Sequence, residues 1–178
     1  MNGKVHVTIG CATAMCLALK YPAGVDIANM HIVPVLALVT ATAGSYAPDI
    51  DMGRTHSGMK HKTASKIISK VGGGHRGITH TLLVPAIVGA FMWFAANYLA
   101  AAPYIAMTVC SLCFGWEWGY LMHLVADMFN GKGIPLFWPL LKSKVHIMDL
   151  PSSGFVPWIF AVLFIALFGY LIFGGIIG

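Results

Sequence analysis

The stretch GHRGITHTLLVPAIVGAFMWFAANYLAAA, residues 74–102, decides the fold because it joins a polar loop to a long apolar segment. Its beginning carries His75, Arg76 and His80 beside glycines, and the remainder has no charged residue. About 20 consecutive apolar residues are enough for a helix to cross a bilayer. The stretch therefore predicts a membrane helix that begins, at the polar boundary, with two imidazoles and a guanidinium.

The composition of the whole chain agrees with a membrane protein. Of its 178 residues 58% are hydrophobic and only 10% are charged, whereas soluble domains carry about 25% charged residues. We expect a single integral membrane domain over residues 1–178. The net charge of +5 suits basic loops on the cytoplasmic side of a membrane, so no nucleic-acid partner is expected. The four cysteines all lie in apolar segments, which predicts buried thiols.

Four more apolar segments accompany this one, at about residues 5–19, 31–46, 104–129 and 155–177. Two polar loops separate them, at about residues 49–74 and 130–154, and the first loop contains a short amphipathic stretch, SKIISKV. The pattern predicts an all-α, polytopic membrane bundle of about four to five transmembrane helices. The first segment is short for a crossing, so that it either tilts through the bilayer or lies partly in the interface.

The distribution of basic residues predicts the orientation of the bundle. With five crossings, the N-terminus and both polar loops share one side of the membrane. That side then holds every Lys and Arg of the chain except Lys20. Because cytoplasmic loops carry an excess of Lys and Arg, we expect this side to face the cytoplasm.

The same topology brings the unusual polar residues to one depth in the membrane. They begin the first and third apolar segments and end the second and fourth, so that all are expected at the cytoplasmic helix ends. Ionisable groups in such segments are costly and usually functional, and we therefore expect one site. Its members are His6, Asp49, Asp51, His75, His80, His123 and Asp127.

Each pair of these residues also has a simpler interpretation. Asp49 and Asp51 follow a proline and could form only a turn, or they could chelate a divalent ion through their oxygens. His123 and Asp127 are four residues apart and share one helical face. They could therefore hold an ion together or form only a hydrogen-bonded pair.

Two further polar residues suggest roles around such a site. Arg76 has the planar geometry that clamps a phosphate, although an arginine at this position could also hold lipid headgroups. Glu117 lies midway along its segment between two tryptophans. It could be a general base, a hydrogen-bond partner of a ligating histidine, or a buried acid. We expect His31 and His146 not to be ligands, since one lies on the opposite side and the other in a loop.

These motifs together resemble one known family. His6, PDID at residues 48–51, GHRGITHT at residues 74–81 and GYLMHLVADMFNGKGIPLFWPL at residues 119–140 are similar to the YdjM-like inner-membrane proteins, which are described as membrane-bound metal-dependent hydrolases. The resemblance implies a bacterial inner-membrane protein with a helical fold and a divalent-metal site, zinc being the first choice. The ligand candidates it implies are His6, Asp49, Asp51, His75, His80, His123 and Asp127.

The resemblance and the residues together suggest a hydrolase that cleaves a phosphoester of a lipid or lipid-linked substrate at the cytoplasmic leaflet. A metal-activated water would attack the substrate and Arg76 would take up charge. Asp49, Asp51 or Asp127 would orient the water, and Glu117 would be accessory. Seven candidate ligands favour two or more ions, because a tetrahedral ion takes four.

Two other classes of function remain open at this point. A metal-stabilised scaffold or adaptor would present the basic loop to a cytoplasmic partner, and its ion would be closed to solvent. An ion transporter would need polar residues along the membrane depth, for which Glu117 is the one candidate. The sequence does not define an oligomeric state.

Overall fold

The computed structural model describes residues 3–27, 30–51, 77–131, 133–141 and 143–174. Within these ranges the chain forms five α-helices, two short strands and two 3-10 turns. The helices are α1 (Gly3–Lys20), α2 (Pro34–Tyr46), α3 (Leu83–Tyr98), α4 (Pro103–Met128) and α5 (Val156–Phe173). The strands are β1 (Val25–Ile27) and β2 (Met30–Ile32), and the 3-10 turns span Pro48–Asp51 and Ile78–His80. The predicted amphipathic stretch SKIISKV lies outside the described residues.

The helix α5 is the most lipid-like element of the chain. Among the described residues it is the one helix that is both long and apolar enough to cross a membrane, with a mean hydropathy of 2.4 over 18 residues. Its length corresponds to about 27 Å at 1.5 Å per residue, close to the thickness of the hydrocarbon core. The helix α3 is also apolar but shorter.

The connection between α1 and α2 corrects the prediction of a purely helical fold. It forms an antiparallel hairpin in which Asp26 is paired with His31, and His31 Nδ1 lies 2.9 Å from Asp26 Oδ1. His31 was predicted to begin the second helix, which instead begins at Pro34. Proline suits the first turn of a helix because its φ angle is preset and it needs no hydrogen bond there. The preceding amide of Val33 donates to Ser111 Oγ at 2.9 Å.

Successive helices alternate in direction. One end of the bundle, which we call the polar end, is where α1, α3 and α5 begin and where α2 and α4 end. There, Val5 of α1, Ala126 of α4 and Ala161 of α5 belong to one buried apolar cluster. At the opposite end, Lys20 Nζ donates to the carbonyl of Ile172 at 3.1 Å. The first and last helices therefore run parallel, with their beginnings at the polar end.

The helices α2 and α4 approach so closely that only glycine fits at three positions. A Cβ placed on Gly115 would lie 1.9 Å from the Ala37 carbonyl oxygen, and one on Gly44 would lie 1.8 Å from that of Trp116. At Gly119 the distance to the Ala41 carbonyl oxygen would be 2.1 Å. Small residues spaced in this way are typical of helix pairs in membranes, where backbones pack closely.

The segment after α4 is less polar than the sequence suggested. Its base is fixed by two hydrogen bonds between Ile134 and Val145, of 3.0 Å and 2.8 Å, and Ile134 is completely buried. Its tip presents exposed apolar side chains, with Leu140 88% exposed. The predicted polar loop thus carries an apolar tip, formed by the run IPLFWPLL between its lysines.

Candidate metal centre

Five polar side chains meet inside the polar end of the bundle. They come from the beginning of α1, the two 3-10 turns and the last two turns of α4. All five are buried, with exposed fractions between 0% and 7%. They are His6, Asp49, His80, His123 and Asp127.

His123 is held in one orientation by the neighbouring helix. Its Nδ1 lies 2.8 Å from the carbonyl oxygen of Ser45. Because a carbonyl can only accept a hydrogen bond, Nδ1 carries the proton, and in the neutral ring Nε2 then presents a lone pair. Within the described part of the chain, Nε2 is buried and has no hydrogen-bond partner. The close contact of α2 with α4 at Gly119 brings Ser45 to this position.

Two carboxylates and a second imidazole surround that lone pair. His123 Nε2 lies 3.8 Å from Asp49 Oδ1 and 3.8 Å from Asp127 Oδ2. His80 Nε2 lies 3.5 Å from the same Asp127 oxygen and 4.0 Å from the same Asp49 oxygen. Ligand atoms about 2.0–2.1 Å from a tetrahedral ion are about 3.4 Å from one another. The four spacings, from 3.5 to 4.0 Å, are therefore somewhat longer than those between the ligands of a bound ion.

His6 lies on the other side of the Asp127 carboxylate. Its Nε2 is 3.3 Å from Asp127 Oδ1, and its ring stacks on that of His123 with 3.8 Å between centroids. The described residues thus contain two possible ligand groups that share His123. The first group adds His6 and Asp127 to it, and the second adds Asp49 and His80. Because His123 Nδ1 is hydrogen-bonded, its ring has one lone pair to offer and can ligate one ion only.

Two residues that the sequence did not reveal support His80. The Tyr120 hydroxyl donates to the carbonyl of Thr79, and Thr79 Oγ1 lies 3.1 Å from His80 Nδ1. Tyr120 is three residues before His123 and seven before Asp127, so it lies on the same face of α4. This spacing is a signal from which its place beside the site could have been predicted.

The remaining candidates are placed differently. Glu117 does not join the cluster: it lies six residues before His123, about 9 Å along the helix axis, and its Oε1 would be 3.5 Å from a Cβ on Gly89 of α3. His75, Arg76 and the side chain of Asp51 lie outside the described residues. The two predicted non-ligands are apart from the cluster: His31 is in the hairpin, and His146 Nε2 lies 3.4 Å from Asp149 Oδ1.

Comparison with known proteins identifies the family. Residues 1–177 match the family described as YdjM inner membrane protein. This chain belongs to the YdjM family. The inner membrane proteins YdjM of Escherichia coli (strain K12) and of Shigella flexneri are each 37% identical to it over 138 residues. Those residues are 78% of this chain and 64% of each relative, so the chain spans less than two thirds of their length.

A third relative is also similar. The uncharacterized protein YvsG of Bacillus subtilis (strain 168) is 31% identical over 139 residues, which are 78% of this chain and 74% of the relative. No solved structure matches the chain. The family confirms the predicted resemblance. It also supports the bacterial inner membrane as the location, since the family and its two YdjM relatives are named for that membrane.

Proposed function

We propose that this YdjM-family protein is a metal-dependent hydrolase that spans the inner membrane several times, with its polar end towards the cytoplasm. The observation that supports it best is the lone pair of His123 Nε2, buried against two carboxylates without a hydrogen-bond partner in the described part of the chain. Buried charges and polar groups are costly unless they are paired or coordinate a metal. The donors we propose are Asp49, His80 and His123, one of the two possible ligand groups. They leave a fourth tetrahedral position for water, and Asp127 lies beside them.

A protonated His123 is a weaker explanation of this arrangement. An imidazolium would need a carboxylate oxygen within about 3.2 Å of Nε2 to form a hydrogen bond. The carboxylate oxygens of Asp49 and Asp127 that face Nε2 are both 3.8 Å away. A cation beside Nε2 would accept its lone pair and neutralise the carboxylates, and nitrogen and oxygen donors of this kind suit zinc and related divalent ions.

The ion itself would act as a Lewis acid that polarises a phosphoryl oxygen and makes water a better nucleophile. Side chains of the protein would orient the donors and the attacking water. His6, 3.3 Å from Asp127 Oδ1, would hold that carboxylate in place. Asp49 is the most exposed of the five residues, so an incoming water would meet it first, and its carboxylate is the one we assign to orient the water and accept its proton.

The class of substrate follows from location and charge. The proposed site lies at the ends of apolar helices, at the depth of lipid headgroups, and the basic residues of the chain are concentrated on the same side by our topology. A lipid or lipid-linked phosphoester combines an anionic group with an apolar tail that suits this position. Arg76 is the residue that we propose to clamp its phosphate.

Metal analysis and turnover test the proposal together. We expect the protein purified in detergent to contain at least one equivalent of a divalent metal, and to release phosphate or a headgroup from at least one member of a panel of bacterial phospholipids. A chelator should abolish this release and added zinc or manganese should restore it. Full turnover by a metal-free sample would exclude the mechanism.

The burial of the donors supports a second candidate, a metal-stabilised scaffold that binds a cytoplasmic partner. Structural ions are commonly closed off by protein ligands, whereas catalytic ions keep an open position, and all five residues here are at least 93% buried. This candidate predicts that the chelator lowers the melting temperature while no substrate is turned over. It also predicts slow exchange of the bound ion with isotopically labelled metal.

A further inference from the structure

A groove lined by apolar side chains lies beside the candidate metal centre. Its volume is about 310 Å³, at the lower end of the range of small-molecule sites. We call it the leucine groove. It is lined by the beginning of α3 and by the tip of the segment after α4, and the lining residues are Leu82, Leu83, Leu136, Phe137, Trp138, Pro139 and Leu140.

The leucine groove is joined to the metal centre through the backbone. The amide of Leu82 donates to the carbonyl of Leu136 at 2.9 Å, which holds the two walls together. Leu82 follows the proposed ligand His80 by two residues, and the carbonyl of Thr79, just before His80, accepts from Tyr120. One wall of the groove therefore begins two residues along the chain from a proposed donor.

The groove also continues into the apolar surface of α3. Ile87, Phe91 and Phe94 are all more than half exposed and follow one another on one face of that helix, at the i, i+4 and i+7 spacing. Such a face is stable against acyl chains rather than water. The groove thus begins where a lipid-facing helix begins. The wall formed by the segment after α4 includes Trp138, and tryptophan is typical of the membrane interface.

The chemistry of the lining favours an acyl chain over a peptide. An extended peptide would have to leave backbone N–H and C=O groups unpaired in the groove, each at a cost of several kcal/mol in an apolar environment. Of the seven lining side chains only Trp138 offers a hydrogen-bonding atom. An acyl chain has no polar group to satisfy, and each buried methylene is favourable by about 0.8 kcal/mol.

We propose that the leucine groove holds one acyl chain of a phospholipid from the cytoplasmic leaflet and so directs its headgroup towards the metal centre. The second part rests on the proposed function, whereas occupation of the groove does not. The exposed Lys144, in the same segment as the groove tip, is available to the phosphate of such a lipid. The groove would select substrates by their tail, and the donors would act on the head.

Photo-crosslinking of the full chain tests occupation of the groove. The protein is placed in vesicles of phosphatidylethanolamine and phosphatidylglycerol, part of which carry a diazirine midway along one acyl chain. Mass spectrometry of the digested protein then locates the label. We expect label on residues 82–83 and 136–140 that excess unlabelled lipid displaces, in addition to non-displaceable label on the exposed face of α5.

Groove-filling variants make the test specific. Leu83→Trp should lower groove labelling about tenfold, the effect of excluding about two methylene groups from an apolar site. Leu163→Trp, on the exposed face of α5, is the matched control and should leave groove labelling unchanged. Because Leu140 is exposed at the tip, Leu140→Asn offers a second variant that does not disturb the core, and it should act in the same direction as Leu83→Trp.

The outcomes separate this proposal from the proposed function. Groove label that both groove variants leave unchanged, or that excess unlabelled lipid does not displace, would overturn it. Metal content is measured on each sample, and all three variants should keep that of the wild type. Specific labelling of a protein that binds no metal would support the lipid site and reject the hydrolase. Bound metal without specific labelling would reject the lipid site and leave the hydrolase proposal standing.

Discussion

His123 gives its two ring nitrogens separate tasks, one facing the Ser45 carbonyl and the other facing Asp49 and Asp127. We expect His123→Ala to lower bound metal at least tenfold, because even the partners of metal ligands contribute about 10–100-fold to affinity. Elemental analysis of the purified variant checks this result. His146→Ala is the control, since that exposed histidine is paired with Asp149 away from the centre, and it should retain the metal.

A substitution at Tyr120 tests how far metal binding depends on residues that are not ligands of the ion. Tyr120→Phe removes the donor to the Thr79 carbonyl while keeping the ring, so the turn that carries His80 loses one support. We expect metal affinity to fall about 10–100-fold, measured by competition with a chromophoric chelator. Tyr98→Phe, at the exposed end of α3, should have no effect, and equal affinities for the two variants would contradict the assigned support.

At the residue scale, sequence reasoning recovers the side chains but not their orientation. His123 and Asp127 are predictable as a pair because four residues separate them on one helix. The hydrogen bond that fixes His123 comes from a backbone carbonyl, which every residue possesses, so no sequence pattern marks Ser45 for that role. Glu117 attracted attention as an acid between tryptophans, yet its side chain faces α3 at Gly89.

At the scale of elements, the close contact of α2 with α4 sets the position of every donor on those helices. Gly115→Ala would place a methyl group 1.9 Å from the Ala37 carbonyl oxygen. We expect a loss of about 1–3 kcal/mol in the free energy of unfolding, the usual cost of overpacking, measured by thermal or denaturant unfolding in detergent.

Gly89→Ala provides the matched control on α3. Its new methyl group would meet Glu117 Oε1 at 3.5 Å, an ordinary contact. Alanine is the better helix former by up to about 1 kcal/mol, so this variant should be as stable as the wild type or more so. Equal destabilisation by the two substitutions would show that the α2–α4 contact is not unusually close.

The five helical segments are predictable because apolar runs of this length have few alternatives to a helix. The predicted ends of these segments agree with the observed helix ends to within a few residues. The hairpin was missed because strands of three residues are too short for an alternating pattern to stand out, although Val-Asp-Ile and Met-His-Ile do alternate. The Gly115-x-x-x-Gly119 spacing was available as a sign of close helix packing. The path of the segment after α4 depends on the long-range pairing of Ile134 with Val145, which composition does not predict.

At the scale of the whole molecule, the alternating helices and the basic loops together predict a topology. In cells, with the four native cysteines replaced, a cysteine at the exposed Ala101, between α3 and α4, should react with a membrane-impermeant maleimide. A cysteine at the exposed Ser153, at the polar end, should react only after the membrane is permeabilised. The reversed pattern would place the proposed site on the periplasmic side.

The parallel contact of α1 with α5 has a consequence for how the protein is made. Val5 of α1 and Ala161 of α5 share one buried cluster beside His6, so this wall of the centre stays open until α5 leaves the ribosome. Contacts so distant in sequence form late, because closing a long loop costs conformational entropy before the new contacts can offset that cost. Newly made chains would therefore pass through a stage in which α1 to α4 are inserted and the metal pocket is still accessible, and this stage is the natural moment for the ion to enter.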